Sequence, residues 1–211
     1  MGADMVEAIN AALKEWAVVC GALADGRQTL LIRKGGIQEI KDGFEVTHQR
    51  FWLFPTFVHQ KEADLVPAVR EEFRTMQAVS LASGTLAIQL YATVADVVQV
   101  MDLERLRRLA DLHILSWECV ASRFHYRNKP GVHVLTLRLF RRPEPIILEQ
   151  KAWYDGCVSW VELDQAINPS ACEPVLSDAV FNARRADIQR ALGGPAIPPE
   201  ASQGAAGLHQ P

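Results

Sequence analysis

An apolar run that ends at a proline constrains the fold of this chain more than any other feature. Residues 51–54 read Phe-Trp-Leu-Phe, Pro55 follows, and the polar pair His59 and Gln60 closes the segment. Such a run predicts a strand, because aromatic side chains pack well on a pleated sheet. Proline has no backbone N–H, so Pro55 predicts the end of the strand or a sheet edge. The segment therefore brings polar side chains to one rim of a sheet.

Alternation of polar and apolar side chains predicts several further strands. The period of two is clearest from Phe44 to His48, from Thr85 to Ala95 and from Val132 to Phe140. Weaker patterns predict strands over residues 117–126, 146–148 and 158–163, with Pro143 and Pro145 interrupting the chain before 146.

The dipeptide Asp25-Gly26 lies between two apolar runs and predicts a β-hairpin over residues 16–33. Apolar residues at helical spacing predict helices over residues 4–14, 61–76, 103–113 and 178–192. Asp102 and Ser177 are the expected N-caps of the last two helices, and Gly193 follows the end of the final one.

Strands and helices are mixed without regular β-α-β alternation. That pattern favours the α+β class, with a mixed, mainly antiparallel sheet flanked by two or three helices. The sheet could also be barrel-like. We expect residues 1–192 to form a single globular domain. Residues 193–211 are rich in Pro, Gly, Ala, Ser and Gln, which predicts a disordered tail.

Charge and cysteine content narrow the classes of function. The net charge of −3 and the pI near 6.1 do not indicate a strongly basic nucleic-acid protein, although they leave room for a local basic patch. The four cysteines form no C-x-x-C pair, which argues against a zinc site built from them, and we expect no cofactor. With no signal peptide or apolar span in sight, we expect a cytoplasmic protein without a membrane partner.

The first candidate site is Arg33-Lys34-Gly35-Gly36, which directly follows an apolar strand. Two cations at a strand end, followed by glycines that let backbone N–H groups approach a ligand closely, predict an anion site. The spacing of a P-loop is absent. The alternative is a solvated strand end followed by a turn, which is the commoner use of a glycine pair.

The second candidate group is polar and lies around the Phe51 run: His48, Thr56, His59 and Gln60. Imidazoles beside Arg33 could bind phosphate or transfer protons near neutral pH. A metal site would need a third ligand, which Glu45, Glu62 or Asp64 could supply. The simpler interpretation is a set of hydrogen-bonded rim residues. Residues 39–41 have the E-x-K form of restriction-type nucleases, but no suitable upstream aspartate accompanies them.

The third candidate is the predicted strand that holds Arg123 and Tyr126. Aromatic side chains beside arginine can stack on nucleic-acid bases. Strand alternation would put Arg123 and His125 on one face and Phe124 and Tyr126 on the other. Core packing of the aromatics is the alternative.

Several of these stretches also carry a family resemblance. They are Leu13 to Ala17, Leu31 to Ile37, Arg50 to Thr56 with His59-Gln60, Trp117, Arg123 to Tyr126, and Leu135 to Phe140. Together they resemble the bacterial domain-of-unknown-function family numbered 1802, over about residues 12–165. Some members of that family are fused to a restriction-endonuclease-like domain. The resemblance therefore implies a role near DNA restriction or modification, and it assigns no chemistry to particular residues.

Three functions remain open from the sequence. The leading hypothesis is a binding module for an anionic ligand, with nucleic acid or a nucleotide as the partner. The second is a metal-assisted hydrolase or nuclease that uses His48, His59 and a carboxylate. The third is a structural protein that self-associates through an exposed apolar patch over residues 51–57.

Overall fold

The computed structural model describes part of the chain with enough certainty for structural statements. The described residues are 7–35, 37–40, 43–46, 48–83, 85–149, 151, 154 and 158–193. Gly36, Lys41 and residues 194–211 of the predicted tail lie outside them. The division of the chain at residue 192 therefore stays a prediction.

Nine strands and five α-helices are named here in chain order, within the described residues. The strands are β1 (Ile9–Trp16), β2 (Leu30–Arg33), β3 (Ile37–Ile40), β4 (Gly43–Val46), β5 (Arg50–Thr56), β6 (Thr85–Val100), β7 (Val132–Glu149), β8 (Trp160–Ile167) and β9 (Glu173–Pro174). The helices are α1 (Ala17–Ala24), α2 (Arg70–Ser83), α3 (Leu103–Arg107), α4 (Trp117–His125) and α5 (Asp178–Ala191).

Seven strands form one mixed sheet with the order β2-β7-β6-β5-β1-β8, and β9 pairs with β7. Strands β1 and β5 run parallel, whereas the other pairs in this sheet are antiparallel. Strands β3 and β4 form a separate two-stranded sheet. The large sheet is open, so the α+β prediction is confirmed and the barrel-like alternative is wrong.

Strand β1 corrects the prediction of a helix over residues 4–14, of which 4–6 lie outside the described residues. Ala11, Ala12 and Leu13 are all buried, because β1 lies between β5 and β8 in the sheet. A strand in that position has both faces covered and loses the period-two pattern. Without that pattern, the spacing of the apolar residues in β1 resembled the spacing in an amphipathic helix.

Helix α1 corrects the predicted hairpin over residues 16–33. The run Ala17–Ala24 is almost wholly buried, and its apolar residues form one continuous block without a polar face. Gly26, with φ of 68°, follows the helix end and donates its N–H to the Leu23 carbonyl at 3.2 Å. The Asp-Gly pair therefore ends a helix. A glycine in the left-handed conformation commonly follows the end of a helix. Only the returning strand β2 was predicted correctly.

Helix α4 corrects the predicted strand over residues 117–126. Ser116 caps the helix, with its side-chain oxygen accepting the Cys119 N–H at 3.2 Å. Helical geometry replaces the expected alternation of faces. Phe124 is buried, whereas His125 and Tyr126 are exposed.

Other predictions agree with the structure. Strands β5, β6 and β8 and helix α5 lie where the patterns placed them, and both N-caps are confirmed by hydrogen bonds. Strand β7 continues through Pro143 and Pro145, contrary to the expected interruption. The register with β6 jumps from Ile88↔Ile146 to Leu90↔Arg141, so the prolines lie in a bulge where no ladder donor is required.

The apolar run of β5 divides between two cores. Phe51 and Leu53 pack with α1 on one face of the sheet, and Trp52 and Phe54 pack on the other. All four side chains are buried, so the exposed apolar patch expected over residues 51–57 is wrong for this run. No helix in the described part of the chain is long and apolar enough to span a membrane.

Candidate functional site

A hollow of about 270 Å³ lies where the parallel strands β1 and β5 end beside each other. Trp16 is paired with Thr56 at these ends, and the neighbouring walls come from the end of β2, from α4 and from the start of β8. Its described lining is Lys14, Glu15, Trp16, Arg33, Lys34, Gly35, Thr56, Val58, His59, Arg123, Val158 and Ser159. We call this feature the cationic hollow.

Arg33 lies at the base of the cationic hollow and is held by three acceptors. Its Nη1 donates to Glu15 Oε2 at 2.8 Å and to the Lys14 carbonyl at 3.0 Å, and its Nε donates to the Gly35 carbonyl at 3.3 Å. Burial lowers the pKa of Arg33, although Glu15 opposes that shift. Arg33 is therefore a fixed cation whose charge is largely balanced by Glu15.

Arg123 enters the same hollow from α4. Its guanidinium lies 4.7 Å from the Trp16 ring centroid, and Nη1 donates to the Ile32 carbonyl at 2.7 Å. None of the ion pairs within the described residues involves Arg123. Stacking on an indole fixes the plane of the cation while leaving its charge available.

Lys34 lines the cationic hollow but its ammonium is engaged with the backbone. It donates to the carbonyls of Phe124 at 3.3 Å, Gly131 at 2.6 Å and Lys129. An ammonium has three donors. Lys34 therefore fastens the end of α4 and the following loop to β2, and its hydrogen-bonding capacity is used there.

The turn after β5 presents His59 to the hollow. The Gln60 N–H donates to the Phe57 carbonyl at 3.4 Å, the Thr56 hydroxyl accepts from Val58 N–H at 3.2 Å, and the Gln60 side chain donates to the Thr56 carbonyl. His59 has φ of 60°, a left-handed conformation that costs free energy for a residue with a side chain. Thr56 and Gln60 therefore hold the turn, and His59 reaches the hollow.

Gly35 lines the hollow without a conformational need for glycine. It is not among the residues of positive φ, and a Cβ at this position would meet only Ser159 Oγ at 3.9 Å. Its smallness leaves the backbone accessible from the hollow. Gly36 lies outside the described residues.

Three of the predicted site residues, His48, Gln60 and Tyr126, do not line the cationic hollow as far as the structure describes it. His48 is exposed and lies edge-on to Trp160 with ring centroids 4.9 Å apart. Tyr126 is exposed on the far end of α4, beneath the Arg127 guanidinium. Arg33, Lys34, Gly35, Thr56, His59 and Arg123 are the predicted residues that the fold brings together.

Within the described residues no group of three or more His, Cys, Asp and Glu side chains could hold a metal ion. Of the three expected third ligands, the Glu45 side chain lies outside the description, Glu62 accepts two hydrogen bonds from Arg74, and neither Glu62 nor Asp64 lines the hollow as described. His48 and His59 lie on different features, the first against Trp160 and the second in the cationic hollow. The metal-dependent alternative therefore stays a prediction without a described set of ligands.

The contribution of β1 to the cationic hollow could not be predicted from the sequence. Lys14, Glu15 and Trp16 line the hollow together with Ser159 from the segment before β8. The predicted helix over 4–14 and hairpin from 16 separated these residues into different elements. In the sequence, the only sign of these β1 residues is a charged pair followed by tryptophan. That pattern does not indicate that the strand pairs with residues near 56.

The charge of the hollow is positive. Its described lining includes four cations, Lys14, Arg33, Lys34 and Arg123, and a single carboxylate, Glu15. Two hydroxyls and the His59 imidazole add further hydrogen-bonding groups. A concave, positively charged wall of this kind favours the approach of anions, even on a protein with a net charge of −3.

Comparisons with solved structures found crystal structures of the ASCH protein of Zymomonas mobilis. The first is 15% identical, with 74% of this chain and 87% of that chain covered and a TM-score of 0.43. A serine-to-alanine variant is 14% identical, with 76% and 92% covered and a TM-score of 0.43. A search of curated proteins gave no match.

The family comparison covers most of the chain. Residues 12–187 match the family described as "Domain of unknown function (DUF1802)". That span includes most of β1, the cationic hollow and most of α5, and it extends beyond the end near residue 165 expected from the sequence. The chain belongs to the DUF1802 family.

Proposed function

We propose that this protein is a binding module for a phosphate-bearing ligand, nucleic acid or nucleotide, which it holds in the cationic hollow. The observation that carries the proposal is the meeting of Arg33, Arg123 and His59, which are far apart in the chain, on one small concave surface. The fold holds the two arginines there with hydrogen bonds to backbone carbonyls.

The cations have different parts in this proposal. Arg33 and Lys34 are engaged with Glu15 and with backbone carbonyls. They therefore stabilise the walls of the hollow and add to its positive electrostatic potential. Arg123 is stacked on Trp16 without an ion-pair partner among the described residues, which makes it the side chain best suited to contact a phosphate directly. The Gly35 backbone and the Ser159 hydroxyl lie at the same wall and supply neutral contacts.

The size of the hollow favours one phosphate group over a duplex groove. A volume of about 270 Å³ falls just below the range of roughly 300–1,000 Å³ that is usual for small-molecule sites. A double-stranded ligand would instead need a wide, flat basic surface. A terminal phosphate, a nucleotide or a single strand therefore suits the hollow best.

The test measures how short single-stranded DNA and RNA oligonucleotides bind at several salt concentrations. Wild type should lose affinity steadily between about 50 and 200 mM salt. Arg123→Gln should weaken binding by about tenfold or more, because a hydrogen bond to a charged group contributes about 1.5 kcal/mol or more, and should reduce the salt slope by about 0.7.

Arg141→Gln is the matched control, since it removes the same charge from an exposed position on β7 outside the hollow. It should leave both affinity and salt slope nearly unchanged. Thermal unfolding of each variant separates lost binding from lost folding. Absence of salt-dependent binding by wild type, to oligonucleotides and mononucleotides alike, would refute the proposed function. A role in DNA restriction or modification stays a prediction from the family resemblance.

A further inference from the structure

A second and larger cavity, of about 850 Å³, opens beside the cationic hollow. It lies between α1, the end of β5, the middle of α2 and the start of β6. Its apolar walls include Ala17, Leu53, Phe54, Met76, Leu86 and Leu90. We call it the apolar cavity.

Small residues on α1 leave the space for this cavity. Ala17, Gly21 and Ala24 lie four and three residues apart, so they share one helix face, and all three line the cavity. Larger side chains at these positions would close the gap between α1 and α2. The volume is within the usual range for sites that bind small molecules.

The two spaces form one continuous surface. Lys14, Thr56 and Val58 line both of them. The Lys14 ammonium lies 5.9 Å from the centroid of the Phe54 ring, which belongs to the cavity wall. A ligand can therefore place an anionic group and a ring on either side of this junction.

The chemistry of the two spaces is different. Among the described residues that line the apolar cavity, Lys14 is the only charged one, whereas the hollow has an excess of cations. This contrast selects a ligand with an anionic end and an uncharged body. The body needs hydrogen bonds as well as apolar contact, since Thr75, Gln77 and Gln89 also line the cavity.

A nucleobase meets these requirements better than an acyl chain. Its flat face packs against aromatic and aliphatic walls, and its edge needs the donors and acceptors that amide and hydroxyl groups supply. An acyl chain would offer no hydrogen bond to the Gln77 amide or to the Gln89 amide oxygen, whereas the Thr75 hydroxyl and the Gln89 amide nitrogen already donate to the carbonyls of Glu71 and Arg142.

We propose that the ligand is a nucleotide, free or at the end of a single strand, with its phosphate in the cationic hollow and its base in the apolar cavity. This inference rests on the proposed function and names the kind of ligand that the same site takes. Lys14 lies at the junction, between the phosphate and the sugar.

The test compares adenosine 5′-monophosphate with ribose 5-phosphate by isothermal titration calorimetry. Wild type should bind the nucleotide at least about fivefold more tightly, because stacking of one base contributes about 1 kcal/mol or more. The two ligands carry the same phosphate, so the difference reports the base alone.

Ala87→Trp fills the apolar cavity from an exposed position on β6, where the extra side chain displaces no core residue. It should reduce the affinity for the nucleotide to that for ribose 5-phosphate and leave the latter unchanged. The matched control, Ala166→Trp, adds the same side chain at an exposed position of β8 outside both spaces and should change neither affinity.

The outcomes distinguish the two proposals. Equal binding of the two ligands, or an Ala87→Trp variant that keeps the preference for the nucleotide, would overturn the base-binding inference while leaving phosphate binding intact. Tighter binding of decyl phosphate than of the nucleotide would overturn it in favour of an acyl chain. No binding of any of the three ligands would overturn the base-binding inference, and it would refute both proposals if oligonucleotides also fail to bind.

Discussion

At the scale of single residues, the Glu15–Arg33 ion pair has the greatest effect on the site. The carboxylate is 4% exposed and the guanidinium 13%, with 2.8 Å between Nη1 and Oε2. The second carboxylate oxygen accepts the Trp16 N–H at 2.8 Å. The pair therefore joins the ends of β1 and β2 beneath the cationic hollow.

Arg33→Ala should destabilise the protein by about 3–5 kcal/mol, because it leaves the Glu15 carboxylate buried without its partner. Denaturant unfolding monitored by tryptophan fluorescence measures this loss. A partly unfolded variant cannot report a loss of binding, so Arg33→Ala is unsuited to binding experiments. Arg123→Gln is the better variant for measuring ligand binding, because it leaves the Glu15–Arg33 ion pair in place.

The double variant Glu15→Leu with Arg33→Met is the control for that prediction. It removes both charges together, so most of the stability should return. A double variant as unstable as Arg33→Ala would show that packing of the long side chain, and not the unpaired carboxylate, explains the loss.

The site residues were predictable from the sequence where they follow the end of a predicted strand or lie in a predicted turn. Arg33 and Gly35 follow an apolar strand, and Thr56 and His59 follow a proline. The sequence therefore predicted that these residues lie at a rim of the sheet. Which of them share a hollow depends on sheet order, which no local pattern contains. Lys34 shows the same limit, since its three carbonyl acceptors come from residues about ninety positions away along the chain.

At the scale of secondary structure, the end of α1 depends on one glycine. Gly26→Ala should destabilise the protein by about 1–3 kcal/mol. The residue has φ of 68°, and a Cβ there would lie 2.5 Å from Leu176 Cδ2. Thermal or denaturant unfolding measures the change.

Gly35→Ala is the matched control for the glycine prediction. Its backbone is not left-handed and the added Cβ has room, so its stability should change by less than about 0.5 kcal/mol. Equal losses in the two variants would contradict the view that φ and crowding, and not glycine as such, determine the cost.

Most elements with one exposed face were predicted well, with α4 as an exception, and the wholly buried ones were not. Strand β6 alternates and α5 has caps at its N-terminus and a left-handed glycine after its end, so local patterns located both. Strand β1 and helix α1 are buried on nearly all sides and carry no periodic contrast. Helix α4 read as a strand because its aromatic residues favour strands, while its capping serine was overlooked.

At the scale of the whole molecule, stability should depend on pH through His113. This side chain is 8% exposed, and its Nδ1 accepts the Leu115 N–H at 3.1 Å. Burial, helped by the nearby Arg123 cation, lowers the pKa of His113 from 6.5 to about 4. The unfolded chain therefore binds the proton more readily than the folded one between these values.

The stabilisation from a neutral His113 is fully present above about pH 6.5 and is lost as the pH falls towards 4. The total is about 3 kcal/mol, since one pKa unit corresponds to 1.36 kcal/mol. Denaturant unfolding at a series of pH values measures this dependence.

His113→Asn keeps an acceptor for the Leu115 N–H and removes the titration. The variant should show a flatter dependence of stability on pH between 4 and 6.5 than wild type. Identical slopes for the two proteins would show that other groups, such as carboxylates, are responsible.

The position of β1 also has a consequence for the order in which the molecule is made. This strand leaves the ribosome before both of its partners, β5 on one side and β8, far along the chain, on the other. A nascent chain therefore carries an apolar strand with an open edge until Trp160–Ile167 has been synthesised. Pairings so distant along the chain form slowly. Truncation before β8 should leave a chain that recruits chaperones or aggregates, because β1 then lacks one of its two neighbours in the sheet.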